Sequence, residues 1–230
     1  MKTSLALLSL AIATNTWAQF GGPPRQDTGE RQARLFGKHN AFTATAHVVT
    51  TDTRGKQKDA NEMSYAFLDG KLRTEIITGK SSELDEMGLG KMVILARPDK
   101  QTAYMIYPGL KAYCEVPPSA KQTAGKESKM DTTDLGEEKI DKHPCTKQKV
   151  VVTDANGEQD EMLQWVAHDM KDFPVQTQVR NGKDTVTTTF RDVKFAKPDA
   201  ALFELPADFK RYGSMQELMM GAMQQMMGGQ

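Results

Sequence analysis

The sequence predicts a mainly β protein: a single curved antiparallel sheet of about ten strands, either a barrel or an open half-barrel, followed by a C-terminal amphipathic helix. Short segments of alternating apolar and polar residues recur along the chain, and turn dipeptides such as Asp69-Gly70 separate them. Helical periodicity is nearly absent until a methionine-rich stretch begins after Tyr212. Because a large apolar sheet face cannot stay open to water, we expect the sheet to curl and the tail to cover it.

The N-terminus has the features of a secretory signal peptide. Residues 1–18 contain one lysine, an apolar run from Leu5 to Ala13 and a polar exit that ends at Ala18. The run is too short to span a bilayer. We therefore expect cleavage after Ala18 and a periplasmic or secreted mature protein that is not membrane-spanning. Residues 19–40 carry Gly, Pro and charge without periodicity, which predicts a flexible N-terminal arm.

The antiparallel β domain is predicted over residues 41–210, and its clearest hairpin turns at Asp69-Gly70, a dipeptide that favours a type I′ turn. Pairing outward from this turn places three pairs on one apolar face: Phe67 with Leu72, Tyr65 with Thr74, and Met63 with Ile76. The opposite face receives Ser64, Ala66, Arg73 and Glu75 and is predicted to be wet.

Further hairpins are predicted in residues 91–108, 147–169 and 173–195, the last turning at Asn181-Gly182. Trp165 is in phase with Leu163, which favours a buried position on the apolar face. The stretch 117–134, rich in Ser, Ala, Lys, Gly and Thr, is predicted to be the longest loop.

The two cysteines, Cys114 and Cys145, most simply form one disulfide in an exported chain. The alternative is a metal site that adds His143. Structural zinc sites usually have closely spaced ligand pairs at both ends, whereas Cys114 stands alone, so no metal ligand is assigned.

No motif names a reaction. The chain has no G-x-S-x-G elbow, no phosphate loop and no paired histidine spacing. We therefore expect no catalytic residues, no cofactor and no enzyme activity. Lysine plus arginine equal aspartate plus glutamate at 30 each, which argues against a nucleic-acid partner.

The methionine-rich tail, residues 211–230, is predicted to form a helix that docks on the sheet. At 100° per residue one broad arc collects Met215, Leu218, Met219, Met220, Ala222, Met223, Met226 and Met227. Glu217, Gly221, Gln224 and Gln225 occupy the other side. Thioethers also suit Cu(I), so copper binding by the tail is an alternative.

Five segments give the chain a resemblance to a bacterial family. They are DGKLRTE, MVILARPDKQTAYMIYP leading to Cys114, GEEKIDKHPCTK, QWVAHDMKDFPV and FELPADFK. Their order resembles exported proteins catalogued as domain of unknown function 4412, within the LolA-like superfamily of periplasmic lipoprotein carriers. The resemblance implies an open, strongly curved antiparallel sheet whose concave apolar face is covered by helices and receives acyl chains or another apolar ligand.

The function expected from these features is non-enzymatic binding of a lipid, an acyl chain or an apolar protein segment in the concave face. The candidate ligand-binding residues are Met63, Tyr65, Phe67, Leu72, Ile76, Trp165, Met215, Met219, Met223 and Met226. Besides Cu(I) binding, a role as an envelope protein-interaction or sensing module is an alternative.

Overall fold

A computed structural model describes residues 35–36, 39–77, 85–100, 102–116, 129–153, 157 and 159–228; side chains are described to 224. The predicted signal peptide and most of the predicted N-terminal arm lie outside these residues. The strands are β1 (Ala41–Thr51), β2 (Gln57–Leu68), β3 (Lys71–Ile77), β4 (Lys91–Arg97), β5 (Thr102–Tyr107), β6 (Ala112–Val116), β7 (Lys129–Ile140), β8 (His143–Thr153), β9 (Gln159–Ala167), β10 (Phe173–Asn181), β11 (Asp184–Lys194) and β12 (Lys210–Tyr212). A C-terminal helix covers Met215–Gly228.

All twelve strands belong to one curved, open sheet with the order β12-β6-β5-β4-β3-β2-β1-β11-β10-β9-β8-β7. The predicted fold class is confirmed. The sheet consists of two antiparallel meanders, β1–β6 and β7–β11, which meet where β1 pairs with β11. The chain therefore passes from near one edge, at β6, to the opposite edge, at β7. Hairpin turns predict only local pairs, so this long-range arrangement could not be predicted from them.

One boundary prediction and one strand orientation differ from the structure. Residues 129–134, which the sequence assigned to a loop, form the start of β7, where each pairs with a residue of β8. Their polar and charged side chains fit an exposed edge strand. The last strand, β12, pairs with β6 in parallel, not antiparallel, orientation.

The turns follow the sequence closely. Asp69 and Gly70 have φ of 48° and 82°, the left-handed values that a type I′ turn requires at both positions. The β4–β5 connection is a 3₁₀ turn at Pro98–Lys100, and β5 ends immediately before Pro108. In the β10–β11 hairpin Asn181 pairs with Asp184, so the turn contains Gly182 and Lys183, one residue later than predicted.

The outer face of the sheet carries a second, smaller apolar cluster. Its buried members are Ala66, Leu68, Val93, Leu95, Ile106 and Phe203. The prediction that Ala66 lies on a wet face is therefore wrong. Residues 199–209, here called the outer strap, cover this cluster, and Phe203 is fully buried in it.

Arginine side chains hold the outer strap in place. The buried Arg97 guanidinium donates to the Phe203 carbonyl oxygen at 2.5 Å and to Glu204 Oε1 at 3.0 Å. It also donates to both carboxylate oxygens of Asp99, at 2.9 Å from Nε and 2.8 Å from Nη2. Arg73 Nη1 donates to the Leu202 carbonyl oxygen at 3.1 Å. The strap thus combines an apolar plug with charge-assisted hydrogen bonds.

Candidate functional site

The inner face of the sheet carries the main apolar cluster, which we call the inner cluster. It extends from Cys114 on β6 to Cys145 on β8, and most of the strands between them contribute to it. Phe36, which precedes β1, lies at its centre. The Phe36 ring lies 4.6 Å from the Phe42 ring, 5.6 Å from Phe173 and 5.5 Å from Phe190, measured between centroids. The sequence analysis missed Phe36 because it precedes the first strand signal.

The first hairpin is paired as predicted. Phe67 pairs with Leu72, Tyr65 with Thr74, and Met63 with Ile76. All five predicted ligand-binding residues of this hairpin are buried members of the inner cluster. The structure thus brings Met63, Tyr65, Phe67, Leu72 and Ile76 together as packed core side chains, each no more than 8% exposed.

Trp165 is also in the inner cluster, as the sequence predicted. Its indole N–H donates to Glu138 Oε2 at 2.7 Å, and Lys147 Nζ lies 5.1 Å from the ring centroid. Lys147 Nζ in turn donates to Glu138 Oε1 at 2.7 Å. The hydrogen bond gives the indole N–H the partner that a buried tryptophan usually requires.

The β4–β6 end of the inner cluster is rich in sulfur. Met105 on β5 pairs with Cys114 on β6. The Tyr107 hydroxyl donates to Met92 Sδ at 3.4 Å. Burial raises the pKa of Tyr107 to about 12 and that of Cys114 to about 11, so both groups are neutral at ordinary pH.

The C-terminal helix docks beside this sulfur-rich end, against β6 and β12. Leu218 and Ala222 are buried, and Met215 and Met219 pack against the inner cluster as half-buried side chains. Their spacing of three, four and seven residues defines one helix face. The structure therefore confirms docking through Met215 and Met219.

The predicted apolar arc is too broad. Met220 and Met223 are 50% and 39% exposed and point away from the sheet. Gly221, which the prediction placed on the polar side, packs against Tyr212: a Cβ atom added there would lie 2.6 Å from Tyr212 Oη. The side chains of Met226 and Met227 lie outside the described set.

The helix begins with a capping motif that the sequence analysis overlooked. The Glu217 N–H donates to Ser214 Oγ at 3.1 Å, and Glu217 Oε2 accepts from the Gly213 N–H at 2.9 Å. The Ser-x-x-Glu spacing of a capping box was the available signal. Among the described side chains of the helix, none forms a hydrogen bond or ion pair with the sheet, so apolar contact alone holds the docked face.

The predicted disulfide is not formed. Cys114 and Cys145 are both free thiols, each buried. They lie on β6 and β8, with eight strands between them in the sheet order, whereas a disulfide needs Cα atoms within about 7 Å. Loop length in the sequence carried no information about this separation. His143 does not join them, because its Nδ1 pairs with Asp169 Oδ2 at 2.8 Å.

The described residues also bear on metal and membrane binding. They contain no group of three or more His, Cys, Asp or Glu side chains arranged to hold a metal ion. Within the same residues, no helix is both long and apolar enough to cross a bilayer.

A groove of about 330 Å³ lies on the outer face, lined by polar side chains such as Thr45, Ser64 and Arg73. Two members of the inner cluster, Ala44 and Tyr65, also border this groove, whereas the sequence predicted the ligand site in the inner cluster itself. Among the described residues, Phe36 and the C-terminal helix both pack against the inner cluster from outside the main strands.

An open curved sheet with a helix on its inner face is the fold class of this chain. The chain belongs to the family described as Domain of unknown function (DUF4412), which matches residues 47–173. No protein of curated function matches it significantly.

Several solved structures resemble the chain. A LolA superfamily protein from Nitrosomonas europaea is 12% identical, with a TM-score of 0.39 over 76% of this chain and 94% of that chain. The lipoprotein LppX from Mycobacterium tuberculosis is 11% identical, with a TM-score of 0.38 over 73% and 94%. MucB of Pseudomonas aeruginosa, solved with MucA, is 13% identical, with a TM-score of 0.40 over 80% and 62%.

Proposed function

We propose that this chain is a non-enzymatic exported protein that binds the acyl chain of a lipid between the inner face of its sheet and its C-terminal helix. One observation carries the proposal: the helix packs on β6 at one end of the inner cluster, and its described side chains make only apolar contacts there. A helix of this length containing a glycine is marginal by itself in water, so docking maintains it. Such a cover can move aside, admit an apolar ligand and pack against it.

The chemistry of the inner cluster along β3 to β6 suits an acyl chain. The side chains of Met92, Met105 and Ile76 are apolar, and the thiol of Cys114 is neutral. The hydroxyl of Tyr107 is already engaged with Met92. A hydrocarbon chain needs no hydrogen-bond partners, and unbranched methionine side chains repack readily around it. Of the predicted ligand-binding residues, Met215 and Met219 would contact the ligand from the helix side.

The N-terminal sequence supports an exported location. Cleavage after Ala18 would release the mature chain into the periplasm or the medium, where lipids and lipoproteins are in transit. The apolar segment of an envelope protein is the other occupant that this surface could accept, and the experiment below separates it from a lipid.

The test is binding of a fluorescent fatty acid, parinaric acid, to the delipidated mature protein, after mass spectrometry of the lipids that co-purify. Leu218→Asp and Met220→Asp form a matched pair, because the two residues lie on the same helix but only Leu218 is buried. We expect wild type and Met220→Asp to bind alike and Leu218→Asp to release the probe about tenfold faster or more.

Two results would overturn the proposal. One is a folded wild-type protein that carries no lipid and does not bind parinaric acid. The other is equal release rates for Leu218→Asp and Met220→Asp, which would place the ligand elsewhere. Binding of an apolar peptide without any binding of fatty acid would favour the envelope-protein alternative.

A further inference from the structure

The methionines of the C-terminal helix fall into two classes. Met220 and Met223 are exposed. Met215 and Met219 are half-buried and form, with Leu218 and Ala222, the face that docks on the sheet. Methionine thioethers on this one helix thus face two environments: two are exposed to solvent, and two pack against the inner cluster.

Oxidation would affect the two classes differently. A peroxide transfers one oxygen atom to a thioether sulfur, giving a sulfoxide while hydrogen peroxide is reduced to water. The product is polar and must be hydrated or hydrogen-bonded. At Met220 and Met223 the sulfoxide would face solvent. At Met215 and Met219 it would have to be buried against apolar side chains, and no polar side chain of the helix compensates there.

Few buried side chains hold the helix on the sheet, so oxidation of its methionines should weaken docking. Among its side chains up to residue 224, Leu218 and Ala222 are buried, and Met215 and Met219 are half-buried beside them. By contrast, Met63, Met92 and Met105 are buried in the sheet itself and are shielded from oxidants in the native state. Among the described side chains of the helix, Met215 and Met219 are therefore the oxidisable residues that pack against the inner face.

We propose that Met215 and Met219 form a modification site for peroxide, at which sulfoxide formation releases the C-terminal helix from β6 and opens the inner face. Methionine sulfoxide reductases reverse the step: two thiols are oxidised to a disulfide, the sulfoxide returns to a thioether, and its oxygen leaves as water, which closes the inner face again. Only the consequence for a bound ligand rests on the function proposed above. The opening itself is a property of the helix and the sheet.

The two cysteines supply an internal readout. Cys114 lies on β6, against which the helix packs, whereas Cys145 lies on β8 near the opposite edge of the sheet. Both thiols are buried. Release of the helix should therefore expose Cys114 to a thiol reagent and leave Cys145 protected, while global unfolding would expose both.

The experiment treats the full mature chain with hydrogen peroxide, removes the peroxide with catalase, and labels briefly with iodoacetamide. Peptide mass spectrometry then measures sulfoxide at each methionine and label at each cysteine. We expect Met220 and Met223 to be oxidised first without any change in labelling. Labelling of Cys114 should rise about tenfold or more as Met215 and Met219 are oxidised. Methionine sulfoxide reductases should reverse it, with Cys145 unlabelled throughout.

Matched variants give the control. Met215→Leu with Met219→Leu should keep Cys114 protected in peroxide, whereas Met220→Leu with Met223→Leu should behave like wild type. The inference is overturned if Cys114 labelling follows oxidation of Met220 and Met223, or if Met215 and Met219 become sulfoxides without exposing Cys114. It is equally overturned if both docking methionines resist peroxide while Met220 and Met223 are fully oxidised. Parinaric acid binding by unoxidised protein is measured separately, so the two proposals can fail independently.

Discussion

The outer strap and the C-terminal helix both come from the last part of the chain, and each covers one face of the same sheet. The outer strap inserts a fully buried phenylalanine, Phe203, and its carbonyl oxygens accept hydrogen bonds from Arg97 and Arg73. The helix docks on the inner face through Leu218 and Ala222, without a polar contact from its described side chains. The comparison indicates that the strap is a fixed part of the fold, whereas the helix is a cover that can open.

Energetics support this difference. A charge-assisted hydrogen bond to a buried group has strict geometry and is costly to leave unmade. Apolar contact is not directional, so it can be exchanged for contact with another apolar molecule. Opening the helix should therefore cost less than global unfolding, whereas opening the strap should be part of global unfolding.

The largest expected effect is at the strap. Phe203→Ala should lower the free energy of unfolding by about 3–5 kcal/mol, because it leaves a cavity in the outer cluster. Urea denaturation of the purified protein measures it. Leu202→Ala, at the neighbouring exposed position, should change the same quantity by less than about 0.5 kcal/mol. Equal small effects would mean that the strap, like the helix, opens locally.

Arg97→Met should have the next largest effect. It retains much of the buried stem but leaves the Phe203 carbonyl oxygen, Asp99 and Glu204 without their donor. Because both carboxylates reach water, we expect a loss of about 1–3 kcal/mol, less than for a fully buried pair. Arg73→Met should cost less, since Glu75 keeps its ion pair with Lys91. A larger loss for Arg73→Met would contradict the assignment of Arg97 as the principal contact of the strap.

At the helix, Gly221→Ala separates helix formation from docking. Alanine favours an isolated helix over glycine by about 1 kcal/mol. In the docked state, however, the new Cβ would lie 2.6 Å from Tyr212 Oη. We expect faster iodoacetamide labelling of Cys114 with almost no change in the urea midpoint of the sheet. Gln224→Ala, at an exposed helix position, should leave labelling unchanged; slower labelling in Gly221→Ala would show that the Tyr212 contact is not needed for docking.

Local pattern predicted local structure well. The Asp69-Gly70 turn fixed the register of the first hairpin, and alternation identified Met63, Tyr65 and Phe67 as inner-face residues. The tail was correctly predicted to form a helix that docks.

The predictions that were wrong concerned features that depend on contacts between residues far apart in the sequence. Nothing in the residues around Cys114 and Cys145 indicates that eight strands separate them. Likewise, Ala66 was predicted to face water because its own hairpin carries polar residues on that side. It is buried because Phe203, far along the chain, packs on the outer face with it. Helical projection gave an arc of methionines, but the width of the docked face was set by Tyr212 beside Gly221.

The smallest expected effect is a difference in acid sensitivity. Hydrogen bonds from Arg97 hold the pKa values of Asp99 and Glu204 below their usual range. A depressed carboxylate pKa stabilises the folded state above the unfolded pKa, near 4, and this contribution is lost as the pH falls through the folded value.

Wild type should therefore lose stability more steeply below about pH 4 than Arg97→Met, whose two carboxylates lack that donor. The urea midpoint, measured from pH 5 to pH 3, gives the two slopes. Deletion of residues 214–230 removes the helix but leaves the strap, so the deleted protein should keep the wild-type slope. If the deletion flattened the pH dependence as much as Arg97→Met does, the acid-sensitive contacts would belong to the helix, and the contrast between a fixed strap and an opening cover would be wrong.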